Sequence, residues 1–396
     1  MVKRKILLIT SRFPFPPLGG DKLKTYFLIQ LLSSRYDVHL VSLIDRPITS
    51  EDRLFCKQYC YMYTLFYKSK YHSFIRALKS LYNGKPIQVN YYYFSDVAAY
   101  IDSIADQYDC VINTLIRTSE YVLNLNNYKL LDMVDSVALN YQRSKNKATS
   151  LFWRLLYKFE LKKVEMYEKM CIERYNYTFC VNKNEALTLT RYGNVEWIPN
   201  GVNPKLLIYR SEVQSHKKCI AFFGKMDYQP NIDAVKWFIE KVFGYLDSDI
   251  TFLIVGVYPT SEISSLANER IIVTGYIEDP YRILSECRAI VAPMQTGGGI
   301  QNKILEMMAL KKIIVTTFLG AEPIVGAKDK EHLLICETAL QMAKQLNDIC
   351  NFPEHFSAIG QNARELIAHF YTWENYGAKL FKLIDSISPE HNSGFQ

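Results

Sequence analysis

The chain has 396 residues, 49% of them hydrophobic and 22% charged, with a formal net charge of +7. That length suggests two domains, or three at most, with apolar material for a core in each. The charge is small for a dedicated nucleic-acid binder, and the nine cysteines form no CxxC pair and no His/Cys cluster, a pattern of free thiols in a reducing cytosol rather than a zinc knuckle or disulfide framework.

Lys5 to Thr10 (KILLIT) reads as a buried strand. Its apolar run is too short for a signal peptide, and SRFPFPP follows instead of a small-residue cleavage site. No stretch approaches the roughly 18 apolar residues of a transmembrane helix. The next loop carries Gly19 and Gly20. Leu23, Phe27, Leu28, Leu31 and Leu32 then share one helical stripe, and Val38 to Leu43 is the second strand. The result is a βαβ unit with a glycine pair in its first loop. GxGxxG is lacking, and a glycine pair alone is more often a tight turn than a phosphate cradle.

No Asp or Glu lies between Arg53 and Ser95, where Arg53, Lys57, Lys68, Lys70, Arg76, Lys79 and Lys85 are interleaved with Tyr59, Tyr61, Tyr63, Phe66, Tyr67, Tyr71, Phe74 and Tyr82. Cations among aromatic rings suit an anionic membrane surface. A solvated helical face with its rings in the core fits equally well, and single-stranded nucleic acid fits less well. Tyr108 to Leu115 and Lys129 to Val134 read as further strands, with Asp132 and Asp135 at the end of the latter. Open α/β sheets place ligands at strand C-termini, where a carboxylate can orient or deprotonate a hydroxyl. Each Asp is equally well read as a cap or turn residue.

Residues 151 to 175 form a basic amphipathic helix, followed by a strand at Tyr177 to Val181, a short helix at Asn184 to Tyr192, and a strand at Val195 to Ile198 that ends in the turn cluster PNGVNP. Lys205 to Lys218 is polar and non-periodic, a linker. Strand–helix alternation then restarts: CIAFFG, a helix from Ile232 to Phe243, ITFLIVG, RIIVTG, a helix from Pro280 to Cys287, AIVAP, and IIVTT after one further helix. This is a second doubly wound domain. A long final helix, 356 to 387, is expected to bend near Thr372 and Trp373.

Within the second domain, Ala289 to Leu310 holds a strand, the triple glycine Gly297-Gly298-Gly299, and then Ile300, Ile304, Leu305, Met308 and Ala309 at helical spacing. A strand, a glycine loop and a helix N-terminus in that order make an anion site. Lys303 adds a positive charge in the first turn. Glu306, about one turn on, suits sugar hydroxyls better than phosphate. Phosphate and hydroxyls on one ligand describe a sugar phosphate or nucleotide; the plainer reading is a βα turn that needs glycine for its geometry.

The motifs IPNGVN, FFGKMDYQPNIDAVKWF, GYIEDPYRIL and APMQTGGGIQNKILEMMA, in this order and spacing, resemble the group-1 retaining glycosyltransferases of GT-B architecture. The resemblance implies an α/β fold of two Rossmann-like, doubly wound parallel-sheet domains facing a cleft. Residues 1–204 would form the acceptor domain, 205–218 a linker, 219–370 the nucleotide-sugar domain, and 371–396 a helix returning to the first domain. It implies a donor site drawn from Gly19, Gly20, Gly224, Lys225, Tyr276, Ile277, Gly298, Gly299, Ile300, Lys303 and Glu306, and catalysis by Asp132, Asp135, Lys225 and Lys303. Lys225 stands where the family usually has an Arg on the diphosphate, a point charge without the bidentate fork. Pro230 stands where a Lys often helps. The family's paired glutamates lie eight apart: Glu306 matches the second, which typically holds the ribose, and the first falls on Gly298. Lys303 would supply the missing cation, as in a subgroup with GGG-I-x-x-K before the final Glu, and Asp132 to Asp135 resembles that subgroup's D-x-V-D.

The reading is glycosyl transfer with retention from a nucleotide-diphosphate sugar to a hydroxyl of a glycan or lipid-linked acceptor in bacterial surface-polysaccharide synthesis. No resident cofactor and no metal are expected, since the nucleotide sugar is a substrate. A cytoplasmic protein with peripheral contact at the inner membrane, and no nucleic-acid partner, is expected. The rival readings are a catalytically silent GT-B scaffold protein and a UDP-sugar epimerase of the same architecture.

Overall fold

The structure, a computed structural model, describes residues 3–17, 19–144, 151–210, 218–297 and 299–387, with side chains at all of these except 144 and 151–157. Gly298, half of the expected linker (211–217) and 388–396 lie outside the described residues.

The chain packs as two units: Met1–Pro199 together with Tyr376–Gln396, and Asn200–Asn375. The first unit is built on seven strands: β1 (Lys5–Thr10), β2 (Asp37–Ile44), β3 (Met62–Tyr67), β4 (Cys110–Thr114), β5 (Tyr128–Val134), β6 (Tyr177–Cys180) and β7 (Val195–Trp197). Their order across the sheet is β3-β2-β1-β4-β5-β6-β7, and every neighbouring pair is parallel. The second unit holds β8 (Cys219–Phe223), β9 (Thr251–Val255), β10 (Ile271–Gly275), β11 (Ala289–Ala292), β12 (Ile313–Thr316) and β13 (Leu334–Ile335). They lie in the order β10-β9-β8-β11-β12-β13, again all parallel. Parallel strands covered by helices on both faces must be apolar along their length. KILLIT, CIAFF, TFLIV and AIVA meet that demand: Ile6, Leu7, Leu8, Ile220, Phe222, Ile254 and Ala289 are fully buried.

Both sheets reverse direction at one place. In the first unit the chain winds outward from β1 through β2 to β3 and resumes at β4 on the other side. In the second it winds from β8 to β10 and resumes at β11. The C-terminal ends of β1/β4 and of β8/β11 are therefore the topological switch points, where adjacent loops part and leave a crevice.

Three elements differ from the sequence reading. The basic aromatic stretch contains a helix (Ser50–Tyr59) and an edge strand, β3, whose residues are only partly covered. The expected linker begins inside a short helix (Pro204–Ile208) with Pro204 in its first turn and Asn203 as its cap. The long final helix is two helices, Ser357–Phe370 and Trp373–Asp385, separated at the expected bend. The second of them returns to the first unit: Tyr376, Leu380 and Ile384 are buried, and Arg4 donates to the Ile384 carbonyl at 2.6 Å. The PNGVN turn is fixed by backbone proximity, since a Cβ on Gly201 would lie 2.4 Å from the Trp373 nitrogen. Beside it the Val202 N–H donates to the Tyr371 carbonyl at 2.9 Å.

Candidate functional site

In the second unit the loops after β8 and β11 flank the β8/β11 switch point. The loop after β11 turns through Gly297 (φ 105°) and Gly299 (φ 66°), backbone conformations open to glycine and strained for other residues. Ile300 is buried beneath it. The helix Asn302–Ala309 follows, and no side chain caps its first turn. Its first-turn N–H groups and positive dipole end are therefore left without a side-chain cap at the C-terminal edge of the sheet, the arrangement that suits an anion.

Two ionisable side chains of this helix point inward. The Lys303 ammonium donates to Asn231 Oδ1 and lies 4.6 Å from the centroid of the Phe222 ring. Loss of water around it lowers its pKa to about 7. Glu306 is 9% exposed and accepts from the Tyr281 hydroxyl at 3.3 Å. Burial raises its carboxyl to about 7. Neither has an ion-pair partner among the described residues. The helix thus carries a desolvated cation and a desolvated carboxyl, each held by one neutral hydrogen-bond partner and neither with a counter-charge among the described residues, a combination that marks a candidate ligand site.

Asn231 ties this helix to the loop after β8. Its side-chain amide donates to the Lys225 carbonyl at 2.8 Å, and a Cβ on Gly224 would come within 2.7 Å of Asn231 Nδ2. Gly224, Lys225, Lys303 and Glu306 are thus brought to one switch point. The Lys225 ammonium itself is part-exposed, paired with Asp227 at 2.8 Å and 5.4 Å from the Tyr258 ring centroid. Tyr276 and Ile277 follow β10, the edge strand, separated from β11 by β9 and β8, and Tyr276 is 71% exposed. Gly298 lies outside the described residues. The sequence reading missed Asn231 and Tyr281. Both lie within the motifs that carried the resemblance, and an Asn one residue after Pro230 was the available signal.

The first unit places Asp132 in its interior. It is 1% exposed and is ion-paired with Lys24, which is 2% exposed and lies 5.5 Å from the ring centroids of Phe179 and Tyr376. Burial raises the Asp132 carboxyl, against the pull of Lys24. The interior that buries Asp132 also supplies its cation. Asp135, beyond the end of β5, is part-buried and accepts from Asn140 Nδ2 at 2.8 Å; burial raises its pKa too. Of the glycine pair, Gly19 takes φ 100° at the cap of the helix Gly20–Arg35, and its carbonyl accepts from the Leu23 N–H at 2.9 Å.

That helix starts at the β1/β4 switch point, beside a small pocket lined by Arg12, Asp21, Lys22, Thr114 and Arg117. Asp21 accepts from Arg12 at 3.3 Å and from Arg117 at 3.1 Å, while Arg117 also donates to Ser11 Oγ at 2.7 Å and lies 4.6 Å from the Tyr92 ring centroid. Three cations face one carboxylate, which leaves the pocket positive. Leu115 on its rim takes φ 66°, a strained backbone for a leucine. Arg12 and Arg117 are 105 residues apart by number, with no spacing that signals their meeting.

Residues 217–351 match the family model described as Glycosyl transferases group 1. A Klebsiella pneumoniae protein, described as an uncharacterized 44.6 kDa protein in cps region, is 21% identical over 98% of this chain and 100% of its own length. Among solved structures, sucrose-phosphate synthase from Thermosynechococcus elongatus superposes with a TM-score of 0.70 at 15% identity, covering 97% of this chain and 99% of that one. Anabaena HepE, solved in complex with UDP and glucose, gives 0.66 at 13% identity over 97% and 100%. At these identities the structural likeness shows the fold, two parallel-sheet α/β units of GT-B architecture.

Proposed function

We propose that this GT-B protein, whose second unit carries a group 1 glycosyltransferase domain, transfers a sugar from a nucleotide-diphosphate donor to a hydroxyl of a glycan or lipid-linked acceptor. The observation that carries the reading is the pair Lys303 and Glu306 on one helix at the β8/β11 switch point, both desolvated and both without a counter-charge among the described residues. A diphosphate supplies the anion that Lys303 lacks. A ribose hydroxyl supplies the donor that a Glu306 carboxylate needs. The UDP and glucose bound by the structurally similar HepE support a UDP-sugar as donor.

In the proposed reaction the bond from the anomeric carbon to the diphosphate oxygen breaks and a bond from that carbon to the acceptor oxygen forms. The acceptor proton passes to the leaving phosphate. Negative charge grows on the diphosphate, and Lys303, Lys225 and the uncapped helix turn are the groups to stabilise it. With that charge supplied by the protein, the reaction is proposed to run without a divalent metal and with retention, as the resemblance implies. Asp135 takes the acceptor-orienting role expected of the Asp132/Asp135 pair, and the positive β1/β4 pocket is the proposed acceptor subsite. The Klebsiella protein's cps-region description supports a surface-polysaccharide setting, with the acceptor met by a cytoplasmic protein peripheral to the inner membrane.

Calorimetric titration with UDP, GDP and their sugars tests the donor site. Lys303→Ala is expected to weaken diphosphate binding by roughly 1.5–3 kcal/mol, the worth of a charge-assisted contact, while melting changes little. Unchanged affinity for whichever nucleotide binds would remove the site. Product anomers read by NMR, with and without chelator, decide retention and metal independence. Position 298 favours a second reading, a donor-binding chain that does not transfer, because glycine stands there in place of the family's first acid. Tight donor binding with no turnover of any acceptor would identify it.

A further inference from the structure

The helix Lys70–Ala77 and the short helix Ser80–Asn83 after it are amphipathic in the inverted sense. The buried positions are serines: Ser73 is 4% exposed and Ser80 1%. The exposed positions are large and apolar: Tyr71 (72%), Phe74 (64%), Ile75 (49%), Leu78 (62%), Leu81 (72%) and Tyr82 (75%). Their spacing of three, four, seven, ten and eleven residues from Tyr71 places them on one side of a helical path. The inward side is held by polar contacts. Ser80 Oγ donates to the Lys85 carbonyl at 2.7 Å, and the Lys163 ammonium donates to the Ser80 carbonyl at 2.5 Å. A contiguous apolar stripe turned outward on a well-anchored element marks an interaction surface.

We propose that this stripe is a membrane-inserting face, seated in the interface of an anionic bilayer with the Phe74, Ile75, Leu78 and Leu81 side chains below the headgroups. The inference deepens the membrane contact of the reading above and is independent of the donor site. Charge chooses the occupant. Lys70 and Lys79 flank the stripe and are exposed, as are Arg53 and Lys57 on the helix Ser50–Tyr59, and no acidic residue occurs from Leu54 to Phe94. Lipid phosphates complement that surface. The cations are fewer than the sequence suggests: Lys68 pairs with Asp96, Lys85 with Glu120, Lys70 with Asp45 at 3.4 Å, and Arg76 lies 5.0 Å from the Phe94 ring centroid. Attachment therefore rests on the apolar side chains, with the free cations drawing the face to the surface. Among the described residues no helix is long and apolar enough to cross a membrane.

The test is co-sedimentation of the full chain with phosphatidylcholine vesicles, with and without phosphatidylglycerol, at low salt and at about 1 M salt, where the Debye length is about 3 Å. Wild type is expected to pellet with anionic vesicles and to remain substantially bound at high salt. The quadruple variant Phe74→Ser, Ile75→Ser, Leu78→Ser, Leu81→Ser is expected to bind at least about tenfold more weakly. Its nucleotide affinity should be unchanged, since all four lie in the other unit from the donor site, and its circular dichroism should show the fold retained with only a modest fall in melting temperature, from the edge-to-face contact of Phe74 with Tyr91 and the half-buried Ile75. A Phe74→Trp probe should shift its emission to the blue on adding vesicles. Wild type recovered in the supernatant with both vesicle types overturns the proposal. So does a quadruple variant that pellets like wild type, or a wild-type dimer in sedimentation velocity that the variant dissolves, because a second copy then covers the stripe. Loss of nucleotide binding with vesicle binding intact would fault the donor reading alone.

Discussion

Lys303 and Glu306 titrate near the same pH in the free protein, and their ligand-bound states pull in opposite directions. Burial lowers Lys303 to about 7, so above neutrality it must take up a proton to meet a diphosphate. Burial raises Glu306 to about 7, so below neutrality it must lose a proton to accept from a ribose hydroxyl. Donor affinity should then peak near pH 7 and fall on each side, approaching about tenfold per pH unit. Titration calorimetry of a nucleotide sugar in buffers of different ionisation enthalpy should show net proton uptake near pH 8 and net release near pH 6. Glu306→Gln should flatten the acid limb, and Lys303→Met the alkaline limb. A flat profile between pH 6 and 8 would mean that neither group meets the ligand. Lys303 was legible because a charge in the first turn after glycines has few other uses, and Glu306 because it lies one turn along the same helix. Asn231 and Tyr281 were not, since what matters is which neighbour a buried lysine or carboxylate reaches. The surroundings of Asp132 were hidden for the same reason: its position at the end of a strand was legible, and its partner, Lys24, lies 108 residues away by number.

At the scale of elements, that partner also sets how the helix Gly20–Arg35 sits. Of the expected stripe Leu23, Phe27, Leu28, Leu31 and Leu32, only Leu28 and Leu32 are fully buried, and the buried face continues through Lys24, Thr25 and Ile29 instead. The inward face is turned toward a lysine because Asp132 waits there. Lys24→Met should leave that carboxylate buried and unpaired, at a cost of about 3–5 kcal/mol to the first unit. Lys24→Met with Asp132→Leu should recover most of it. Urea unfolding of the full chain measures both, and equal stabilities for the single and double variants would deny the pairing its weight. The strands were read more easily than the helices, because a strand covered on both faces leaves a continuous apolar run. β3 escaped because it is an edge strand with Tyr61 and Tyr67, beside and at its ends, 64% and 63% exposed. Its neighbours Lys70–Ala77 and Ser80–Asn83 escaped because their periodicity is real but faces outward.

At the scale of the whole chain, the restart of strand–helix alternation after Lys218 made two parallel sheets readable from the sequence. The division was harder to place, because its marker is a backbone crossing at Gly201 and Trp373 rather than a polar run. The last helix adds Tyr376, Leu380, Leu383 and Ile384 to the first unit, with Tyr128 donating to the Leu383 carbonyl at 3.3 Å. Truncation after Asn375 should therefore lower the first unit's melting temperature sharply while leaving nucleotide binding by Asn200–Asn375 in place. Differential scanning calorimetry with and without nucleotide would separate the two transitions, and an unchanged first transition would mean the helix is an ornament. The same discontinuity orders events at the ribosome. Tyr376 reaches the tunnel exit only after all of Asn200–Asn375 has been made, a delay of roughly 9–35 s at about 5–20 residues per second. Through that interval the nascent first unit has Lys24 and Asp132 in place without the Tyr376 ring that closes over them. The second unit, although later in the message, is the first to be complete.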